Sequence, residues 1–196
     1  MDDYFEIFGL PRRLRVDLDD LQRRFYELSR RHHPDFHQLA GEQERAASLE
    51  RSALVNRAYR ALRDPLSRVA HVIALEEGGD PEATSKPAPP RALLAEMLEV
   101  QEVLEEARSA GLDTPAGERA IRERRDLMAR QAAGDAAIAE RFVEWDGTVD
   151  EAADRQPLLD WFRQALAARA YLRTVIDDLD EVLGEDQEGH VSHRRH

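Results

Sequence analysis

A stretch rich in glycine and proline divides this chain and limits what it can fold into. Two glycines and four prolines fall within the 13 residues from Gly78 to Pro90. Proline lacks the N–H that a helix needs and steers the preceding residue away from helical angles. On both sides apolar residues recur at spacings of three and four, with no period-two run that predicts a strand. The sequence therefore predicts an all-α fold in two parts, residues 1–76 and 91–184, with a linker over 77–90 and a disordered tail over 185–196.

Composition and charge exclude several classes of function. The 196 residues include no cysteine, which excludes disulfides and centres ligated by cysteine, such as iron–sulfur clusters. A net charge of −12 argues against general nucleic-acid binding, which depends on basic side chains that neutralise phosphates. No apolar run approaches the ~20 residues of a membrane span, and the acidic N-terminus lacks an export signal. We therefore expect a cytoplasmic protein with no nucleic-acid and no membrane partner.

The first part has the pattern of a helical hairpin flanked by short helices. The sequence predicts helices over residues 2–8, from about 18 to just before Pro34, over 41–63 and over 66–75. The predicted inward face of the second helix carries Leu18, Leu21, Phe25, Leu28 and His32. That of the third carries Leu49, Ala53, Asn56 or Tyr59, and Leu62. Because these two faces would cover one another, we expect residues 1–76 to fold alone.

The second part is predicted to be a three-helix bundle. Helices are expected over residues 91–110, 116–132 and 157–183, with breaks at Gly111, Gly134 and Pro157. A weaker helical segment over 135–146 places Ile138, Phe142 and Trp145 on one face. The core side of the last helix is predicted to carry Leu158, Phe162, Leu166, Leu172, Ile176, Leu179 and Leu183.

The most informative motif lies between the two main helices of the first part. It is a histidine–proline–aspartate tripeptide, which chance often produces and which gains weight only from its flanks. The chain opens with Tyr4-Phe5-Glu6-Ile7-Phe8-Gly9, and the helix after the tripeptide contains Asn56-Arg57-Ala58-Tyr59. Taken together, residues 2–75 resemble the J domain of DnaJ-type co-chaperones. The resemblance implies that a DnaK-type chaperone is engaged through His33, Pro34, Asp35, Arg23, Arg30 and Arg31.

The chemistry of the tripeptide fits that role. Pro34 would stiffen the loop, so that Asp35 presents its carboxylate with few degrees of freedom to lose on binding. The arginines on the preceding helix would add complementary charge and steer association. Tyr26 and Glu27 lie among these arginines where general J domains often carry lysine or arginine.

Nearly the whole chain resembles a narrower family. The short first helix, the segment Asp64-Pro65-Leu66 and the acidic helical second part are similar to the HscB-type co-chaperones of iron–sulfur cluster assembly. The resemblance implies an L-shaped protein that is not itself an enzyme and that needs no cofactor. It implies two partners, the scaffold protein IscU and the DnaK-type chaperone HscA, whose ATP hydrolysis the co-chaperone stimulates.

A second surface is predicted on the helix over residues 91–110. A helical wheel places Leu93, Met97, Val100 and Leu104 in a buried stripe, with Leu94 and Leu98 roughly 90–125° from its centre. The resemblance implies that the scaffold is held by an apolar and acidic patch here, together with an aromatic on the last helix. The matching residues are Leu94, Ala95, Leu98, Glu99, Glu102, Glu106 and Tyr171. The alternative is a solvated acidic face with both leucines covered by the third helix and Tyr171 merely flanking the core.

The sequence leaves other interpretations of these motifs open. The tripeptide could be an ordinary turn that ends a helix, and its arginines could be solvated. The three histidines His32, His33 and His37, with Asp35 among them, are possible ligands of a divalent metal, but Pro34 breaks the helical geometry and we expect no metal site. Two alternative functions are a J-domain co-chaperone for a different client and a helical adaptor that has lost its chaperone.

Overall fold

A computed structural model describes residues 2–32, 41–78, 91–151 and 154–192. Within these ranges every regular element is an α-helix, as the sequence predicts, and none combines the length and apolarity that a membrane span requires. The eight helices are α1 Tyr4–Ile7, α2 Leu18–Arg31, α3 Glu42–Arg63, α4 Pro65–Glu77, α5 Arg91–Ala110, α6 Pro115–Glu140, α7 Phe142–Glu151 and α8 Gln156–Ser192.

Aspartates cap α2 and α4 in the N-terminal region. The Asp17 carboxylate accepts the N–H groups of Asp19 and Asp20 at the beginning of α2. Asp64 ends α3 and also caps α4, because its carboxylate accepts the Ser67 N–H at 2.7 Å and Pro65 occupies the first helical position. The cap at Asp64 fixes the point at which α3 ends and α4 begins.

The chain forms two compact units whose composition differs from the predicted division. The first unit contains Met1–Ser85 and Ala139–Phe162, and the second contains Lys86–Ile138 and Arg163–His196. The sequence groups all of residues 91–184 into one bundle, whereas the structure packs 139–162 with the N-terminal helices. Two helices also run further than predicted. α6 continues through Gly134 to Glu140, and α8 continues through Gly184 to Ser192, so residues 185–192 of the predicted tail are helical, since one glycine inside a helix costs only about 1 kcal/mol.

In the first unit, α3 packs against α1, α2 and α4. The ring of Phe25 on α2 stacks on that of Tyr59 on α3, with 4.1 Å between centroids. The buried face of α3 differs from the predicted one: Leu49 is 57% exposed, and Ala53 and Asn56 are exposed as well. Leu18, at the first turn of α2, is also exposed. Leu62 is buried as predicted, and the other residues that α3 buries are Ser48, Val55 and Ala58.

α7 is joined to the N-terminal segment by buried polar contacts. The indole Nε1 of Trp145 donates to the carbonyl of Arg12 at 3.0 Å. The carboxylate of Asp146 accepts the N–H of Leu14 at 2.7 Å and that of Arg15 at 3.3 Å. The backbone groups in these bonds lie between α1 and α2 and have no partner within a helix, so the side chains of α7 satisfy them. This explains why residues 139–162 belong to the first unit. A fragment of residues 1–76 would lack them.

A buried arginine completes this network. Arg68 on α4 donates to the carbonyl of Leu62 at 2.7 Å and to that of Leu14. Burial lowers the pKa of Arg68 from its ordinary value, and the negative charges of Asp64 and Asp146 partly oppose that effect.

In the second unit, ion pairs define the order of three helices around an apolar core. Glu96 and Glu106 on α5 pair with Arg130 and Arg119 on α6, so the two helices are antiparallel. Arg124 and Asp135 on α6 pair in the same antiparallel order with two residues of α8, which are Asp180 and Arg169. The core consists of Leu93, Met97, Val100, Leu104, Ala107, Ala120, Leu127, Leu172, Val175, Ile176, Leu179 and Val182.

Candidate functional site

The end of α2 is fixed just before the tripeptide. His32 caps the helix by donating its N–H to the carbonyl of Leu28 at 3.0 Å, and its own carbonyl accepts the hydroxyl of Ser48 on α3 at 3.0 Å. The predicted residues His33, Pro34 and Asp35 lie outside the residues that the structure describes. The bond between His32 and Ser48 nevertheless fixes the point at which the chain leaves α2.

The arginines of α2 divide into two groups. Arg24 is tied into the first unit, because its guanidinium pairs with Asp20 at 2.9 Å and donates to the carbonyl of Phe8 at 2.8 Å. The three arginines predicted to face a chaperone, Arg23, Arg30 and Arg31, are exposed. Arg23 also pairs with Asp20. This part of α2 therefore presents positive charge to solvent, whereas Arg24 holds the loop before the helix.

The second predicted surface is an exposed apolar and acidic face of α5. The predicted stripe of Leu93, Met97, Val100 and Leu104 is buried in the core. Leu94 is 40% exposed and Leu98 is 69% exposed, so α8, the third helix of the second unit, does not cover them. Two neighbouring leucines therefore remain accessible beside the core.

The acidic residues of α5 occupy a different side of this face. Glu99 and Glu102, with Glu96, line a groove of about 510 Å³ between α5 and α6. Glu106 pairs with Arg119 at 3.0 Å, and Ala95 is exposed between the leucines and the glutamates. The carboxylates thus lie toward α6.

Tyr171 lies on the same side of the second unit as the two leucines. Its side chain is half-buried and packs against the apolar core. Arg169 marks the side of α8 that faces α6, and Tyr171 lies roughly 160° around the helix from it. Leu94 and Leu98 each lie roughly 160° from Glu96, which marks the side of α5 that faces α6. The leucines and the tyrosine therefore lie on the sides of α5 and α8 that point away from α6.

A buried histidine in the first unit was not singled out by the sequence. The Nε2 atom of His71 accepts the N–H of Tyr4 at 3.0 Å, and the two rings stack with 4.1 Å between centroids. Burial lowers the pKa of His71 to about 4, and the nearby charge of Asp3 only partly opposes that effect. The imidazole is therefore neutral at pH 7 and holds α1 to α4.

Within the described ranges no group of three or more histidine, aspartate or glutamate side chains could hold a metal ion. The alternative metal site around His33 and His37 lies outside those ranges.

Comparisons with known proteins first define a class. No protein-family model matches the chain. Solved structures that match it closely in fold are co-chaperones in which a J domain is joined to a helical bundle. This is the class that the tripeptide and its flanks indicate.

The structures that match are of HscB proteins. One is the chaperone HscB from Vibrio cholerae, with a TM-score of 0.62 and 24% sequence identity over 95% of this chain and 99% of that chain. Another is the human co-chaperone protein HscB, with a TM-score of 0.64 and 27% identity over 92% of this chain and 81% of that chain. These similarities support an HscB-type co-chaperone, the family that the sequence resembles.

Proposed function

We propose that this chain is a cytoplasmic co-chaperone of iron–sulfur cluster assembly. It binds the scaffold protein IscU, delivers it to the DnaK-type chaperone HscA and stimulates ATP hydrolysis by HscA, without being an enzyme itself. The observation that carries the proposal is the similarity to human HscB over 92% of the chain, because that similarity includes both units.

The first unit would engage the chaperone. His33, Pro34 and Asp35 form the contact that stimulates hydrolysis, and the exposed arginines of α2 bind an acidic surface beside it. The fixed end of α2 supports this role, because the bond from Ser48 to the His32 carbonyl positions the chain that leads into the tripeptide. A contact whose backbone is already placed loses less entropy when the partner binds.

The second unit would hold the scaffold. Leu94, Leu98 and Tyr171 form the apolar centre of the contact. Truncating central apolar anchors usually costs the most binding energy, so these three side chains contribute most of the affinity. Its rim consists of Ala95, Glu99, Glu102 and Glu106. The rim carboxylates are exposed, so they act mainly on the rate of association and on its salt dependence.

Retention of both partners on the immobilised chain tests this proposal. IscU is added alone, HscA is added alone with ATP, and the two are then added together. We expect each protein to be retained alone and both to be retained together. If HscA is retained but IscU is not, the result would instead favour a J-domain co-chaperone for a different client. If neither protein is retained, the result would favour the helical adaptor.

A further inference from the structure

Tyr26 occupies a prominent place on α2. The side chain is 60% exposed, which is unusual for a large aromatic residue. Around the helix it lies roughly 60° from Arg23 and roughly 40° from Arg30, so it shares the outer face with both arginines. An aromatic ring therefore lies beside two of the cations that we assign to the chaperone contact.

The ring of Tyr26 is already held in place. Its hydroxyl accepts a hydrogen bond from the Gln22 side chain one turn earlier, at 3.1 Å. The ring lies 5.7 Å from that of Phe25, which in turn stacks on Tyr59 of α3. Because the side chain is restrained before any partner arrives, it loses little conformational entropy on binding.

The charge around Tyr26 indicates the chemistry of its partner. Residues 23–31 contain four arginines and one glutamate, a net charge of +3 within a chain of net charge −12. Arg24 is occupied within the first unit, so the other three arginines present their charge to solvent. A surface of this kind is complementary to an acidic one.

We propose that Tyr26 is the aromatic anchor of the chaperone contact and inserts into an apolar depression bordered by carboxylates on the ATPase domain of HscA. This inference rests on the proposed function and names a determinant of specificity within its chaperone site. The arginines then guide association, whereas the ring supplies contact area that a cation at the same position cannot replace.

The test is a titration of the HscA ATPase with four variants of the full-length chain. Tyr26→Ala removes the ring, Tyr26→Phe keeps it, and Tyr26→Lys replaces it with a cation. The matched control is Ile121→Ala, which truncates an exposed apolar residue on α6 of the second unit. We expect Tyr26→Ala and Tyr26→Lys each to raise the concentration for half-maximal stimulation at least tenfold. Tyr26→Phe and the control should stay within twofold of the wild type.

The outcomes separate this inference from the function on which it rests. If the wild-type chain does not stimulate HscA at any concentration, the proposed function fails. If the wild type stimulates and Tyr26→Ala stays within twofold of it, the anchor is wrong. Full activity of Tyr26→Lys would also overturn the inference, because charge alone would then suffice. Thermal melts should coincide for all five proteins. If Tyr26→Ala melts early, the other two variants decide: the anchor stands if Tyr26→Lys loses at least tenfold while Tyr26→Phe stays within twofold, and it is wrong if both stimulate equally.

Discussion

Replacing Asp146 on α7 removes the carboxylate that joins this helix to the N-terminal segment. In Asp146→Ala the N–H of Leu14 loses its acceptor inside the core, and an unsatisfied buried group costs about 1–3 kcal/mol. The N–H of Arg15 loses a second bond, and buried Arg68 loses a nearby negative charge. We therefore expect a loss of roughly 3 kcal/mol in the free energy of unfolding of the first unit. Asp146→Asn keeps one acceptor oxygen and should lose about half as much.

Urea unfolding at pH 7, followed by circular dichroism, measures this loss. The matched control is Glu144→Gln, which removes the same charge from the same helix where the carboxylate is exposed and pairs with Arg141. The control should change stability by less than about 0.5 kcal/mol. The midpoint should fall for the Asp146 variants at an unchanged slope. If Asp146→Ala and Glu144→Gln unfold at the same urea concentration, the buried bonds do not hold α7 in place.

Three other predictions concern separate parts of the molecule. Because the pKa of His71 is lowered to about 4 when folded and is about 6.5 when unfolded, the unfolded chain binds more protons between these values. Stability should therefore fall by up to about 3 kcal/mol as the pH drops from 6.5 to 4, and a titration of His71→Phe should lack this component. Asp35→Asn should abolish stimulation of HscA with no change in the thermal melt, and stimulation at the wild-type level would refute the J-domain mechanism. Leu94→Ala/Leu98→Ala should weaken IscU binding at least tenfold in calorimetry without lowering the melting temperature, whereas buried Met97→Ala should melt much earlier.

Local patterns predict the helices and the exposed face of α5 well. An amphipathic helix buries one face, and the spacing of residues along the chain gives the angle of each side chain from that face. Leu94 and Leu98 can therefore be placed beside the buried stripe from the sequence. The caps at Asp17 and Asp64 are equally local, since each carboxylate reaches only two or three residues along the chain. The exposure of these two leucines could therefore be predicted from the sequence.

Contacts between distant segments could not be predicted in this way. Asp146 bonds to Leu14 across 132 residues, and nothing in the period of either segment indicates that they meet. The buried face of α3 was misplaced for a related reason: Ser48 occupies a buried position because its hydroxyl bonds to the His32 carbonyl, so the apolar pattern there is incomplete. The tripeptide His33–Asp35 lies outside the described residues, and its role rests on the resemblance and on the proposed experiments.

The most direct test of the account is the steady-state rate of ATP hydrolysis by HscA, measured with and without this chain and with and without IscU. We predict that the wild-type chain raises the rate in a saturable manner, and that it does so at lower concentrations when IscU is present. Asp35→Asn should leave the rate at its basal value while still binding IscU. An HscA rate that the wild-type chain does not change, with IscU or without it, would contradict the assignment as an HscB-type co-chaperone.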